Sequence, residues 1–128
     1  MLAGGQGRRM GGVDKGLVPL HGRPLIEYAI DALRPQVSSL LISANRNRDI
    51  YASYGYPVVA DVMGDYDGPL AGMLSAMRAV GTAYILTTPC DAPSIPADLA
   101  RRLAEALISN DAVASAVSLQ GRLQPVFA

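Results

Sequence analysis

Residues 2–16 read LAGGQGRRMGGVDKG. Residues 1–3 have the character of a strand's last residues, and glycines follow at once. Seven of the thirteen glycines fall in this run or just beyond it, at 4, 5, 7, 11, 12, 16 and 22. Glycine admits positive φ and lets a backbone approach a ligand closely. Successive free N–H groups then form an anion cradle. Arg8, Arg9 and Lys15 add positive charge to the same loop, and Lys15 is the sole lysine of the chain. This makeup suits phosphates. The loop is not a Walker loop, because Lys15 lies between Asp14 and Gly16. It is not a dinucleotide fingerprint either, because the GxGxxG pattern begun at Gly5 and Gly7 ends on Met10. A surface loop without a ligand is the alternative.

Outward from this loop the pattern alternates. Residues 24–34 place Leu25, Ile26, Ala29, Ile30 and Leu33 on one helical face. Residues 37–44 read as a buried strand, 47–54 as a short helix and 56–60 as a strand ending at Asp61. A second amphipathic helix over 70–80 runs through Leu70, Met73, Leu74 and Met77, with Met73 and Met77 as core. Residues 83–88 form a strand that runs into Pro89, Cys90 and Asp91. Pro96 opens a helix carrying Leu99, Leu103 and Leu107. Residues 112–119 and 122–128 are further strands. Such alternation predicts a single α/β domain over 1–128, Rossmann-like, with a mainly parallel sheet and helices on both faces. Ligands of such sheets sit beyond the carboxyl ends of the strands. The residues there are the loop 4–16, Asn45, Asp61 and Asp91. Only Met1, Leu2 and Ala3 precede the glycines, where about five or six residues make a usual strand. The chain also stops inside an apolar run. The expectation is a domain truncated at both ends.

Composition removes several classes. Half the residues are apolar, enough for a core, which argues against disorder. Eleven basic and eleven acidic residues cancel, which argues against nucleic acid held by bulk charge. A single cysteine closes no internal disulfide and points to a reducing, cytoplasmic setting. No apolar run reaches the ~20 residues that span a bilayer, and residues 1–20 lack the secretory layout of basic residues, apolar stretch and small-residue cleavage site. One histidine and one cysteine make no zinc site. His21 falls in a turn, so Cys90 has no base and reads as a small packed residue.

The segments LAGG, GRRMGG, DKG and HGRPL resemble the nucleotidyltransferases, of the type that also builds nucleotide-diphospho-sugars. Within them, GGVDKGL, DYDGPLAGMLSA (65–76), TPCDAP (88–93) and QPVFA (124–128) resemble the molybdenum cofactor guanylyltransferase family along the whole chain. The resemblance implies that Leu2, Ala3, Gly4 and Gly5 hold the guanine nucleotide. It implies that Lys15 contacts its phosphates and that Asp61 and Gly72 lie against the nucleotide. Asp91 would ligate Mg²⁺, and Arg9 would join Lys15 in stabilising the pyrophosphate that leaves. A strand-end carboxylate beside a phosphate loop independently suits a hard cation, as a lone lysine suits a polyphosphate. Where relatives carry Asn, this chain has Ser43, with Asn45 two residues on, so base recognition could rest on either.

Plainer readings stand beside these. Asp61 could cap a turn, Asp91 could make an Asx-turn before Pro93, and Arg8 and Arg9 could be solvated charges. The implied reaction is GMP transfer from Mg·GTP to molybdopterin. The implied partners are GTP, molybdopterin and molybdoenzyme-handling proteins, with no nucleic acid or membrane, in a monomer or weak oligomer. The alternatives are a cytidylyl- or sugar-phosphate nucleotidyltransferase, or a non-catalytic nucleotide-binding fragment.

Overall fold

The computed structural model describes residues 1–3, 12–61 and 68–128. Residues 1–3 form the middle of its sheet. On one side Ser43 N donates to Met1 O (2.9 Å) and Ala3 N to Ser43 O (2.7 Å). On the other, Leu2 N donates to Thr88 O (2.8 Å) and Cys90 N to Leu2 O (3.0 Å). Both contacts are parallel. β3 (Ile42–Ser43) pairs in parallel with β4 (Val58–Val59), Ile42 opposite Val58 and Ser43 opposite Val59. Numbered along the chain, the four parallel segments lie in the order third, second, first, fourth. The order therefore reverses between residues 1–3 and residues 88–90. Beyond the fourth segment Thr87 and Ala128 exchange backbone bonds of 2.7 and 3.3 Å, the reciprocal pattern of an antiparallel pair.

Side chains alternate across a strand, and here the alternation sorts the helices. Met1, Ala3, Ile42 and Ala44 share a buried cluster with Ile26, Ala29, Ile30 and Leu33 of α1 (Leu25–Leu33). Leu99 and Leu103 of α4 (Leu99–Ser109) and Tyr51 of α2 (Arg48–Ala52) belong to the same cluster. Leu2 and Ser43 point the other way, against Gly72 of α3 (Pro69–Ala79). Helices thus cover both faces of a parallel sheet, as the strand–helix alternation predicts.

Two antiparallel hairpins complete the described residues. β1 (Pro19–Leu20) pairs with β2 (Arg23–Pro24), and β5 (Val117–Leu119) with β6 (Arg122–Gln124). Their two-residue turns are His21–Gly22, with φ of 51° and 81°, and Gln120–Gly121, with 51° and 75°. Positive φ at both central positions matches the twist of the flanking strands.

Three expectations are corrected. α3 does not bury Leu70 and Met77, which are 74% and 56% exposed. It buries Ala71, Gly72, Ser75 and Ala76. Small residues let its backbone lie close to Leu2 and Ser43, so steric fit outweighs hydrophobicity in choosing the inward face. Secondly, residues 83–88 are not a strand in their own right. Residues 82–84 are exposed, and pairing begins only at Thr87; Pro89 has no N–H to give to a ladder. Residues 122–128 likewise divide, β6 ending at a turn in which Phe127 N donates to Gln124 O. Thirdly, Pro96 does not open α4. Its carbonyl closes a turn with Leu99 N (3.2 Å), and the helix starts at Leu99.

Candidate active site

The parallel segments all point their carboxyl ends to one rim, and the predicted residues gather along it. Lys15 begins a single 3₁₀ turn (Lys15–Leu17) after the glycine-rich stretch. Asp91 follows Cys90, whose backbone is tied to Leu2. Lys15 Nζ stands 3.6 Å from Asp91 Oδ2, with side chains 52% and 31% exposed. An ion pair this open contributes about 0–1 kcal/mol to stability. Its location is more telling than its strength. It sits where the strand order reverses, which is where open α/β sheets receive ligands.

A second group lies past β3 and β4. Asn45 Nδ2 donates to Asp61 Oδ2 (2.7 Å), and Asp61 N donates back to Asn45 Oδ1 (2.8 Å). Ser43 Oγ donates to Asp61 Oδ1 (3.2 Å). Each carboxylate oxygen of Asp61 therefore has its own donor, and the side chain is locked. Ser43 is 1% exposed, so its hydroxyl serves Asp61. Gly72 closes the group from α3. A Cβ there would stand 3.0 Å from Ser43 Oγ, 3.1 Å from Leu2 Cδ2 and 3.3 Å from Asp61 Oδ1. The absence of a side chain is what lets the helix reach the strands.

Leu2 is half-buried, with its N–H and C=O both engaged in the sheet, and Ala3 is buried with its N–H on Ser43. Gly4, Gly5 and Arg9 lie outside the described residues. Cys90 is buried, and burial first, then the charges of Asp91 and Asp14, pushes its thiol up to about 12. It stays protonated and packed. Among the described residues no cluster of three or more His, Cys, Asp or Glu gathers. One rim carboxylate completed by phosphate oxygens and water is a donor set that Mg²⁺ accepts, so Asp91 fits that ion.

Sequence reasoning missed a third group. Asp14 accepts from Tyr51 Oη (2.6 Å) and Asn47 Nδ2 (2.9 Å). Arg46 Nε lies 3.6 Å from Asp14 Oδ2, and Arg46 Nη1 donates to Gly12 O (2.6 Å). Two signals were available: polar residues 45–47 directly after a buried strand, and a tyrosine one helical turn beyond Asn47.

A parallel α/β sheet with a cation and a carboxylate at its point of reversal is the architecture of a nucleotide- or phosphate-binding α/β protein. The family model "MobA-like NTP transferase domain" matches residues 1–128, and the chain belongs to that family. A molybdenum cofactor guanylyltransferase of Shewanella loihica is 50% identical over 98% of this chain and 64% of its own length. One from Polynucleobacter asymbioticus is 57% identical over 81% of this chain and 52% of its own. The chain therefore spans less than two thirds of these curated relatives. Among solved structures, molybdopterin-guanine dinucleotide biosynthesis protein A of Archaeoglobus fulgidus shares the fold. Its TM-score is 0.74 at 23% identity, over 98% of this chain and 63% of that one. A nucleotidyl transferase of Methanothermobacter thermautotroptrophicus gives 0.65 at 27% identity, over 81% and 54%. No helix among the described residues is long and apolar enough to cross a membrane.

Proposed function

We propose that the protein transfers GMP from Mg·GTP to the terminal phosphate of molybdopterin, releasing pyrophosphate. The observation that carries this reading is the meeting of Lys15 and Asp91 at the switch point of the sheet. The names of the relatives supply the substrates. In-line attack at the α-phosphorus demands charge neutralisation and alignment more than a covalent protein intermediate. Lys15 would neutralise the phosphates and, with Arg9, stabilise the departing pyrophosphate. Asp91 would hold Mg²⁺, which would supply neutralisation of the phosphate charge. The locked Asp61, with Asn45, Ser43 and Gly72 behind it, offers a fixed carboxylate to the nucleoside. Glycine amides at 4 and 5, next to Leu2 and Ala3, would grip the nucleotide. No general base is needed, because the attacking phosphate is already anionic near neutral pH.

The same reading makes residues 1–128 one nucleotidyltransferase domain, monomeric or weakly associating, working in the cytoplasm. It takes GTP and molybdopterin and passes the product to molybdoenzyme-handling proteins. Calorimetric titration with GTP, CTP and ATP in the presence of Mg²⁺ tests it. GTP binding at least tenfold tighter than the others is expected; equal binding of all three, or none, overturns the guanylyl assignment.

A further inference from the structure

We infer that Tyr51, acting through Asp14, is the positioning residue that holds Lys15 opposite Asp91. Aspartate just before a helical turn commonly caps it with its side chain. Asp14 occupies that place before Lys15–Leu17 and makes no such bond. Its carboxylate turns away, only 8% exposed, and is taken up by Tyr51 and Asn47 at 2.6 and 2.9 Å. Tyr51 is fully buried, so its ring is fixed by the core and its hydroxyl is a fixed point.

That hydroxyl bonds one neighbour of Lys15 and fills the space beside the other. It bonds Asp14 on one side, and on the other it lies 2.7 Å from where a Cβ of Gly16 would stand. Cys90 Sγ is equally close to that point, at 2.7 Å. Tyr51 Oη and Cys90 Sγ, of the residue preceding Asp91, thus both crowd the side of Gly16 where a side chain would project. Arg46 adds a hold further back, on the carbonyl of Gly12. Lys15 itself makes one ion pair at 3.6 Å, too weak to order a long side chain in water. Its placement comes from the residues on either side of it, and those are set by Tyr51.

Its kinetic meaning rests on the reaction proposed above, but its geometric content does not. Lys15 is the sole lysine, so reductive methylation with ¹³C-formaldehyde labels one side chain besides the α-amino group. In the parent protein, Asp91→Asn should shift the Lys15 methyl resonance. In Tyr51→Phe the same replacement should shift it by less than about half as much, as expected of two groups coupled through a shared support. In GMP transfer, Tyr51→Phe should lower kcat by roughly tenfold to a hundredfold. The KM for GTP should change by less than about threefold, the signature of lost alignment and not lost binding. Should Tyr51→Phe fail to fold, Asn47→Gly decides. It removes a donor to Asp14 at a residue with φ of 50° that glycine accepts, and it should reduce the coupling in the same direction. No response of Lys15 to Asp91→Asn in the parent, or an undiminished response in the variant that folds, overturns the inference. A parent protein that transfers no GMP refutes the proposed reaction, while the resonance comparison still decides the role of Tyr51.

Discussion

Lys15 Nζ and Asp91 Oδ2 face each other across 3.6 Å, although 76 positions of chain separate the two residues. One follows the first parallel segment and the other follows the fourth, and these two segments are neighbours only because the strand order reverses between them. A phosphate drawn to the lysine and a cation drawn to the carboxylate would meet in the same place. Lys15→Ala and Asp91→Ala should each lower GMP transfer by about a hundredfold or more. The melting temperature should move by no more than about 4 °C, because so exposed a pair adds little to stability. Turnover and thermal melts on the two variants check this, and near-parent turnover in either removes its assigned role.

Asn45 and Asp61 hold each other by two reciprocal bonds. Asn45→Ala leaves a carboxylate oxygen and a backbone N–H without these partners. A stability loss of about 1–3 kcal/mol is expected by denaturant unfolding. GTP affinity should fall in the same variant, because Asp61 is no longer held in one orientation.

Gly16 has an ordinary backbone conformation, so its need for glycine is one of space. Gly16→Ala would push a methyl group to 2.7 Å from both Tyr51 Oη and Cys90 Sγ. Overpacking of this kind costs about 1–3 kcal/mol, which urea unfolding would register. Gly12→Ala makes a useful contrast. Its space is open but its φ is +83°, so the cost there is one of backbone strain.

The Cys90 thiol, ordinarily near 9, is pushed up to about 12 by burial and neighbouring carboxylates. Folding therefore favours the protonated thiol. Stability from this source is fully present below about pH 9 and is lost as pH climbs from there towards 12. Tyr51 is raised too, by burial and by its bond to Asp14, and it acts in the same direction. Unfolding free energies measured from about pH 7 to about pH 11 should fall in the upper half of that range. Cys90→Ala should flatten part of the fall.

On α3 the polar substitution Met77→Gln should change stability by less than about 0.5 kcal/mol. Ala76→Leu, on the face that packs inward, should cost about 1–3 kcal/mol. The reverse ranking would restore the hydrophobic-stripe reading of this helix.

Those outcomes bear on what a sequence discloses. Asn45, Asp61 and Asp91 were legible because each closes an apolar stretch, and Lys15 because it is the sole lysine and lies in the glycine-rich loop; strand ends in such sheets carry the chemistry. α1 was legible from its periodicity. α3 was not, because periodicity ranks residues by hydrophobicity, whereas close approach to Leu2 and Ser43 selects the smallest ones. The 83–88 stretch was overextended because an apolar run does not say where a partner strand begins. Tyr51 was read as one residue of a short helix. Its bond to Asp14 joins positions 37 apart, and no local pattern announces such a pairing.

Residues 1–3 bond Ser43 along one edge, through Met1 O and Ala3 N, and bond Thr88 and Cys90 along the other, through Leu2. During synthesis the segment 1–3 must therefore wait, with one edge open, until residue 90 has emerged. Contacts of such long sequence separation slow folding, and an unpaired edge invites association with other chains. A nascent chain stalled before that point would be a natural client for a chaperone.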